Sequence, residues 1–281
     1  MYETLEDEFG DIVGKARRGQ EKDIAALAEC LGMAASDWER IEGYQWTPEA
    51  DRLVGIADAL ELDPEKLKLS AAVGYFPKNP TGVKIAGADV HMMVLGSSFL
   101  MNGYLVGCPV TRKALCIDPG FDAGTILATA QRAGLEIEKV ALTHGHHDHV
   151  GALEEVVQAT GASVYMSAGD RGLVGELSSQ INGELCAGES MEIGTINLVS
   201  QSTPGHTAGG MSLIGEAMAF VGDALFAGSL GGTRSRVNYD MQRRAVREQI
   251  LSLADTTVLY PGHGPATTVG EEKANNPFFN G

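Results

Sequence analysis

The chain has 281 residues, of which 44% are hydrophobic, and a net charge of −16. This length suits one large domain or two of unequal size, and the negative charge disfavours binding to nucleic acid and to anionic membranes. The acidic N-terminus does not resemble a secretory signal, no apolar run reaches the roughly 18 residues of a membrane span, and the four cysteines form no CxxC pair. We therefore expect a cytoplasmic protein with reduced thiols.

The first region, residues 1–74, is predicted to be a small all-α domain. Apolar residues recur with helical spacing over residues 24–31 and again over residues 53–60. Asp23 is a suitable N-cap for the first of these helices. Asp63, which a proline follows, is a suitable N-cap for a further short helix.

The chain changes character after residues 75–88, which are rich in proline and glycine and form the predicted linker. Residues 89–281 contain short β-branched runs that end in polar or glycine-containing turns. Helices are predicted between these runs near Ala123–Ala133, 150–159 and 241–253. Strands that alternate with helices predict an α/β domain.

A histidine cluster follows the strand predicted at residues 139–142. The segment "THGHHDHVG" contains His144, His146, Asp148 and His149 within six positions. Loops at strand ends are the usual ligand sites of α/β domains, and imidazole and carboxylate are ligands that Zn²⁺, Fe²⁺ and Mn²⁺ accept. A solvated polar loop is the alternative, but the high density of potential ligands indicates that this loop forms part of a metal site.

Three further ligand candidates follow other predicted strands. His206 lies in "TPGHTAGG", Asp223 in "AFVGDALF" and His263 in "YPGHGP". A single histidine in a turn is usually structural or solvated. Because all three follow strands, as the cluster does, the sequence predicts that they complete a centre for two metal ions.

This pattern resembles the metallo-β-lactamase-fold hydrolases over about residues 88–281. The motifs HxHxDH, PGHT, GDALF and PGHG occur in the family's order, and "CIDPG", which contains Asp118, is similar to the family's second-strand motif. The resemblance implies an αββα sandwich with the metals at one edge. It implies a first metal bound by His144, His146 and His206, a second bound by Asp148, His149 and His263, and Asp223 as the bridge between them. Asp118 would orient a ligand histidine.

The expected cofactor is two divalent ions, with Zn²⁺ as the first candidate and Fe²⁺ or Mn²⁺ as alternatives. Two cations about 3.5–4 Å apart hold a shared hydroxide, which is the expected nucleophile. Asp148 or Asp223 would take the proton in transit, and Asp118 completes the expected catalytic set. His147 and His91 match no ligand position.

The segment "GDALFAGSLGGT" and the tail over residues 267–277 are most similar to the glyoxalase II-like branch, the hydroxyacylglutathione thioester hydrolases. The resemblance implies thioester hydrolysis, in which a thiolate leaves without a general acid. Two departures count against glutathione, because residues 231–234 read GGTR instead of the usual GRTD, and only 18 residues follow His263. Arg234 or Arg236 would bind an anionic substrate; the alternative is that both are solvated loop charges. The alternatives of the same fold are a mononuclear-iron persulfide dioxygenase, a lactonase and a cyclic phosphodiesterase.

The N-terminal region is similar to the Cro/C1-type (XRE) helix-turn-helix. The shared features are the LAxxLG segment, the Ile41-Glu42 pair, Pro48 and the closing "IADALELDPEKL". The resemblance implies that a helix over about residues 35–42 enters the major groove of DNA.

Charge argues against DNA binding by this region. Residues 1–70 hold 8 Lys and Arg against 17 Asp and Glu, a net charge of −9, whereas DNA affinity depends on phosphate neutralisation. Two alternatives stay open. The region is either a DNA-binding module of a metabolite-sensing regulator or, as we favour, a helical bundle that docks on the catalytic domain or mediates a homodimer.

Overall fold

The computed structural model describes residues 2–97 and 100–280. The N-terminal helices are α1 (Phe9–Gly19), α2 (Ile24–Cys30), α3 (Ala35–Glu42), α4 (Ala50–Ala59) and α5 (Pro64–Ala71). The two predicted caps are confirmed, because Asp23 accepts from the backbone N–H of Ala26 and Asp63 accepts from those of Glu65 and Lys66. The predicted helical region began at Asp23 and therefore missed α1.

Residues 75–88 contain no helix or named strand, and a linker was predicted there. The described part of the chain that follows forms two six-stranded sheets, each with parallel and antiparallel neighbours. The first sheet has the order β1 (Asp89–Leu95), β2 (Met101–Gly107), β3 (Lys113–Ile117), β4 (Glu136–Leu142), β5 (Ser163–Met166) and β6 (Ile181–Glu184). The second has the order β12 (Thr267–Thr268), β11 (Val258–Pro261), β10 (Met218–Gly222), β9 (Met211–Ile214), β8 (Ile196–Ser202) and β7 (Ser190–Ile193).

In the described residues, five α-helices accompany the sheets: α6 (Ala123–Ala133), α7 (His147–Val150), α8 (Leu153–Thr160), α9 (Arg236–Ala245) and α10 (Val269–Asn275). An apolar core that includes Tyr104, Phe220 and Tyr260 fills the space between the two sheets. A second core packs the first sheet against α6 and α8. A third packs the second sheet against α9 and α10. The α/β class and the predicted αββα layering are therefore confirmed.

The N-terminal helices belong to the same apolar core as the outer face of the second sheet. Ile12 of α1 and Leu67 of α5 are buried in one cluster with Val221 and Leu259. Polar contacts reinforce this packing, because Glu61 accepts from both terminal nitrogens of Arg236 at 2.7 and 3.0 Å. The helical bundle therefore docks on the sandwich.

Several element boundaries differ from the prediction. The third predicted helix, placed at residues 241–253, begins earlier, where Ser235 caps α9, and ends in a π-helical turn over Val246–Ile250. The short strands β6, β7, β9 and β12 were not predicted. Within the described residues, no helix is long and apolar enough to cross a membrane.

Candidate metal centre

The predicted ligands lie on loops at one edge of the sandwich. β3 runs parallel to β4, and β10 runs parallel to β11, so their carboxyl ends point the same way within each sheet. Asp118 follows β3 and residues 144–149 follow β4, while Asp223 follows β10 and His263 follows β11. His206 comes from the turn between β8 and β9. The fold thus gathers side chains that are up to 145 positions apart (263 minus 118).

Three histidine nitrogens converge on one point. His146 Nδ1 lies 3.1 Å from His144 Nε2 and 2.9 Å from His206 Nε2. Nitrogens bound tetrahedrally at about 2.0–2.1 Å from one ion are separated by roughly 3.4 Å. These three side chains therefore fit around a single cation with little adjustment.

A second group lies next to the first. His263 Nε2 is 3.2 Å from Asp148 Oδ2, and His149 Nε2 is 3.5 Å from the same oxygen. The Asp223 carboxylate contacts both groups, because its Oδ2 is 3.3 Å from His206 Nε2 and its Oδ1 is 3.4 Å from His149 Nε2. The structure therefore brings together all seven predicted ligands, with the Asp223 carboxylate between the two groups.

Two buried polar atoms in this cluster are unsatisfied within the described chain, which indicates whether a metal ion would fit. His149 Nε2 and Asp223 Oδ1 are buried and have no hydrogen-bond partner among the described residues. Leaving a buried polar atom unsatisfied costs about 1–3 kcal/mol. The two atoms lie 3.4 Å from each other inside the cluster, so a divalent cation bound between them would satisfy both.

The protonation states differ between the two ligand groups. Burial alone would lower the pKa of His149 and His263, but Asp223 holds the pKa of His149 well above, and that of His263 above, the ordinary value, so an ion there would displace a proton from each ring. Burial lowers the pKa of His144 well below its ordinary value and also lowers that of His146, so both rings are neutral donors. Burial would raise the pKa of Asp223, but His263 and His149 outweigh it and hold that pKa well below its usual range. Asp223 is therefore an anionic ligand at neutral pH.

Hydrogen bonds behind the cluster fix the orientation of its rings. Asp118 Oδ2 accepts from His149 Nδ1 at 2.9 Å. The Nδ1 atoms of His206 and His263 lie 2.8 Å from the carbonyl oxygens of Gly232 and Leu100. In each case Nε2 is left to face the centre, which is the arrangement that metal-binding imidazoles need.

Asp118 reaches this position through an uncommon backbone conformation. Its φ is +52°, a left-handed value that aspartate tolerates better than most residues. The same carboxylate accepts from the backbone N–H of Thr143 at 2.8 Å and from the Thr143 hydroxyl at 2.6 Å. Asp118 therefore joins the end of β3 to the loop that carries the histidines.

Asp170 was not among the predicted site residues. It is fully buried, and it accepts from the backbone N–H groups of Gly145 at 3.0 Å and Gly209 at 2.6 Å. It thus ties the loop that carries His146 to the loop that carries His206. The surrounding "SAGDRG" resembles an ordinary polar turn, so the sequence carries no signal for this role.

The two excluded histidines lie outside the cluster, as expected. His147 is exposed with its ring against Phe121, and His91 lies on β1. The two arginines considered for substrate binding differ from each other. Arg236 is paired with Glu61 and Asp240, whereas Arg234 is exposed at the edge of a cleft beside the centre.

The predicted tail motif supports the loop that follows Asp223. Glu272 is buried and accepts from the backbone N–H of Gly228, from Asn276 Nδ2, and from the hydroxyls of Thr267 and Tyr75, all at 2.8–2.9 Å. Asn276 also donates to a backbone carbonyl of the same loop, that of Ser229, at 2.9 Å. Glu272 and Asn276 of the tail therefore position the loop that follows Asp223.

Comparison with known proteins gives matches over the sandwich. The family model described as the metallo-beta-lactamase superfamily matches residues 102–263. The chain is 33% identical over 190 residues to hydroxyacylglutathione hydrolase GloC of Haemophilus influenzae, which covers 60% of this chain and 88% of that protein. It is 31% identical over 186 residues to the probable metallo-hydrolase YqgX of Bacillus subtilis, and the match covers 60% of this chain and 88% of that protein.

Solved structures are similar over the same part. The B3 metallo-beta-lactamase BLEG-1 superposes with a TM-score of 0.59 and 30% identity, covering 69% of this chain and 100% of that one. A di-iron-bound form of TTHA1623 superposes with a TM-score of 0.55 and 31% identity, covering 67% of this chain and 99% of that one. ETHE1 from Myxococcus xanthus superposes with a TM-score of 0.59 and 26% identity, covering 67% of this chain and 83% of that one.

Proposed function

This chain belongs to the metallo-beta-lactamase superfamily, and on that premise we propose that it is a hydrolase with two divalent metal ions that cleaves a thioester or a similar ester-like bond in a small molecule. The observation that carries the proposal is the position of Asp223. Its carboxylate oxygens lie 3.3–4.0 Å from the Nε2 atoms of His144, His149, His206 and His263, which belong to both ligand groups.

In this proposal, His144, His146 and His206 hold the first ion, and Asp148, His149 and His263 hold the second. Divalent cations supply such a site with a water nucleophile that ionises near neutral pH and with Lewis acidity toward a carbonyl oxygen. Asp118 keeps His149 Nδ1 protonated and so directs its Nε2 lone pair to the centre. Asp148 is half-buried in the cluster, and in this proposal its carboxylate would accept the proton released by the nucleophile.

A thioester is the proposed substrate because its thiolate leaves without a general acid. The hydroxyacylglutathione hydrolase similar to this chain supports that choice, and the di-iron-bound neighbour supports two metals. Zn²⁺ is the proposed metal, since its N and O ligand preferences match the cluster, and Fe²⁺ and Mn²⁺ accept the same ligands. A mononuclear-iron enzyme of the same fold is the second candidate, and the similarity to ETHE1 favours it.

Metal analysis combined with a hydrolase screen tests the proposal. The full chain loaded with Zn²⁺, Mn²⁺ or Fe²⁺ is expected to hold two ions and to hydrolyse thioesters faster than lactones or phosphodiesters. Asp223→Ala should lose both metal and activity, whereas Asp51→Ala, an exposed acid on α4, should keep both. One iron per chain with no second ion, and no hydrolysis of any of the three substrate classes, would refute the proposal.

We propose that the N-terminal helical domain serves the catalytic domain and does not bind DNA. Helix α3, which the helix-turn-helix resemblance would make the recognition helix, carries Asp37 and Glu39 against Arg40, and Arg40 already contacts Asp37 at 3.4 Å. DNA binding needs cations that face the phosphates. Saturable, sequence-selective retardation of DNA in a gel-shift titration at low salt would overturn this proposal.

A further inference from the structure

A cleft of about 1160 Å³ lies between the metal centre and the helical domain. His146 and His206 of the first ligand group line one side of it. Arg17 and Arg18 of α1, with Lys22 from the turn after it, line the other. The helical domain is thus a wall of the space beside the centre, and the volume of this cleft is somewhat larger than the roughly 300–1,000 Å³ of typical small-molecule sites.

The acidic residues of this cleft are already bonded to backbone groups. Asp170 is buried and accepts from Gly145 and Gly209. Glu21 accepts from the backbone N–H of Arg236 at 3.0 Å, and Asp23 accepts from that of Ala26 at 3.0 Å. These hydrogen bonds keep the three carboxylates oriented toward backbone N–H groups.

The basic residues of the cleft fall into two classes. Arg17 is held by Glu42 through two hydrogen bonds of 2.5 and 2.9 Å, and Lys22 donates to a backbone carbonyl. Arg18, in contrast, has a half-exposed side chain and a single 3.2 Å contact with Glu42. Arg234 is exposed and forms no ion pair with any residue that the structure describes. Arg18 and Arg234 therefore have donors left for a ligand. The available donors of Arg18 and Arg234 suit the cleft to a polar, anionic molecule, although the chain as a whole carries a net charge of −16.

We propose that Arg18 and Arg234 bind the anionic part of the substrate's thiol carrier, so that the helical domain supplies the carrier-recognition wall of the cleft. This inference rests on the proposed thioester hydrolysis. The acyl carbon would lie at the metal centre while the carrier extends toward α1. Carboxylates and phosphates share the required chemistry, because both accept paired hydrogen bonds from a guanidinium group. Arg18 and Arg234 are positioning residues, since neither reaches the reacting atoms.

Titration calorimetry on the metal-loaded full chain tests the inference without requiring turnover. The probes are S-methylglutathione, which carries carboxylates, and S-methyl-coenzyme A, which carries phosphates, because their blocked sulfur does not compete for metal as a thiolate. We expect one probe to bind, which identifies the anion, and its affinity to fall with added salt. Arg18→Gln and Arg234→Gln should each raise the Kd about tenfold, the loss expected for a charge-assisted hydrogen bond.

The matched control is Arg40→Gln, an exposed arginine of α3 outside the cleft, which should change the Kd less than about twofold. Thermal unfolding and metal content of every variant show whether it is folded. Binding of neither probe, or equal affinities for wild type and both cleft variants, would overturn the inference. If a probe binds through these arginines but no thioester is hydrolysed, the proposed function fails and the cleft assignment stands. If a thioester is hydrolysed with a KM that neither substitution raises, the cleft assignment fails and the proposed function stands.

Discussion

The Asp118 carboxylate accepts a hydrogen bond from His149 Nδ1 at 2.9 Å, and it holds Thr143 at the same time. His149 is fully buried, so its ring has no solvent to replace this partner. Asp118 therefore acts on the proposed second metal through the orientation of a ligand, and a change at this residue alters metal affinity without removing a ligand atom.

We expect Asp118→Asn to weaken binding of the second metal by about 10–100-fold, the usual effect of losing the partner of a ligand histidine. An asparagine amide offers only one oxygen, so its NH₂ group would face a donor of either His149 or Thr143. Competition with chelators of graded affinity measures the change. Asp122→Asn, which alters the N-cap of α6, is the control and should bind both ions as wild type does. Unchanged affinity in Asp118→Asn would contradict this role.

Gly262 leaves room for the proposed bridging carboxylate. A Cβ atom at this position would lie 2.1 Å from Asp223 Oδ1 and 2.7 Å from His149 Cε1, so one of these side chains would have to move. We expect Gly262→Ala to lose at least one ion per chain, as measured by elemental analysis. Gly172→Ala is the control, because a Cβ there meets nothing within 4 Å. The steric argument fails if both variants retain the metal content of wild type.

The strand-end loops were predictable because their chemistry is unusual. Burying a histidine or an aspartate at the end of an apolar strand costs free energy unless the side chain is paired or binds a ligand. His206, Asp223 and His263 could therefore be grouped as one predicted site before any distance was known. The parallel pairing of β10 with β11 brings Asp223 and His263 together, and the turn between the antiparallel strands β8 and β9 adds His206. Their roles as ligands remain predictions that metal analysis will test.

Other features had no comparable signal. Helix α1 does show helical spacing at Phe9, Ile12 and Val13, but its three glycines weaken the propensity, and the packing of these residues with the second sheet is a long-range property. Asp170 bonds only backbone groups, which any polar turn residue can do. The division into residues 1–74, a linker and residues 89–281 remains a prediction.

Glu272 gives a prediction about pH. Burial raises the pKa of its carboxyl group to about 7 from an ordinary value of 4.5, although four groups donate to it. Between these two values the folded protein retains a proton that the unfolded chain releases. The free energy of unfolding should therefore fall as pH rises through this window, by on the order of 3 kcal/mol in total. Urea denaturation of the metal-free protein at pH 5 and pH 8 measures this fall.

Glu272→Gln should remove this pH dependence. A glutamine oxygen can accept from Gly228 and Asn276, while its NH₂ group donates to the hydroxyls of Thr267 and Tyr75. The variant should gain stability relative to wild type as pH rises from 5 to 8. Glu248→Gln, an exposed acid after α9, should follow the wild-type profile. Parallel profiles for Glu272→Gln and wild type would show that the carboxyl does not titrate in this window.

The core shared by the helical domain and the sandwich predicts that the two unfold together. Both tryptophans, Trp38 and Trp46, lie in the helical domain, so their fluorescence follows that domain while metal release follows the sandwich. Leu67 is fully buried on α5, which packs against α10. We expect Leu67→Ala to cost about 2–5 kcal/mol and to lower the denaturation midpoint of both signals equally. Val54→Ala, at a 39% exposed position of α4, should shift neither by much. If fluorescence changes at a lower denaturant concentration than metal release, the helical domain unfolds independently, and its packing on the sandwich contributes little to the stability of the catalytic part.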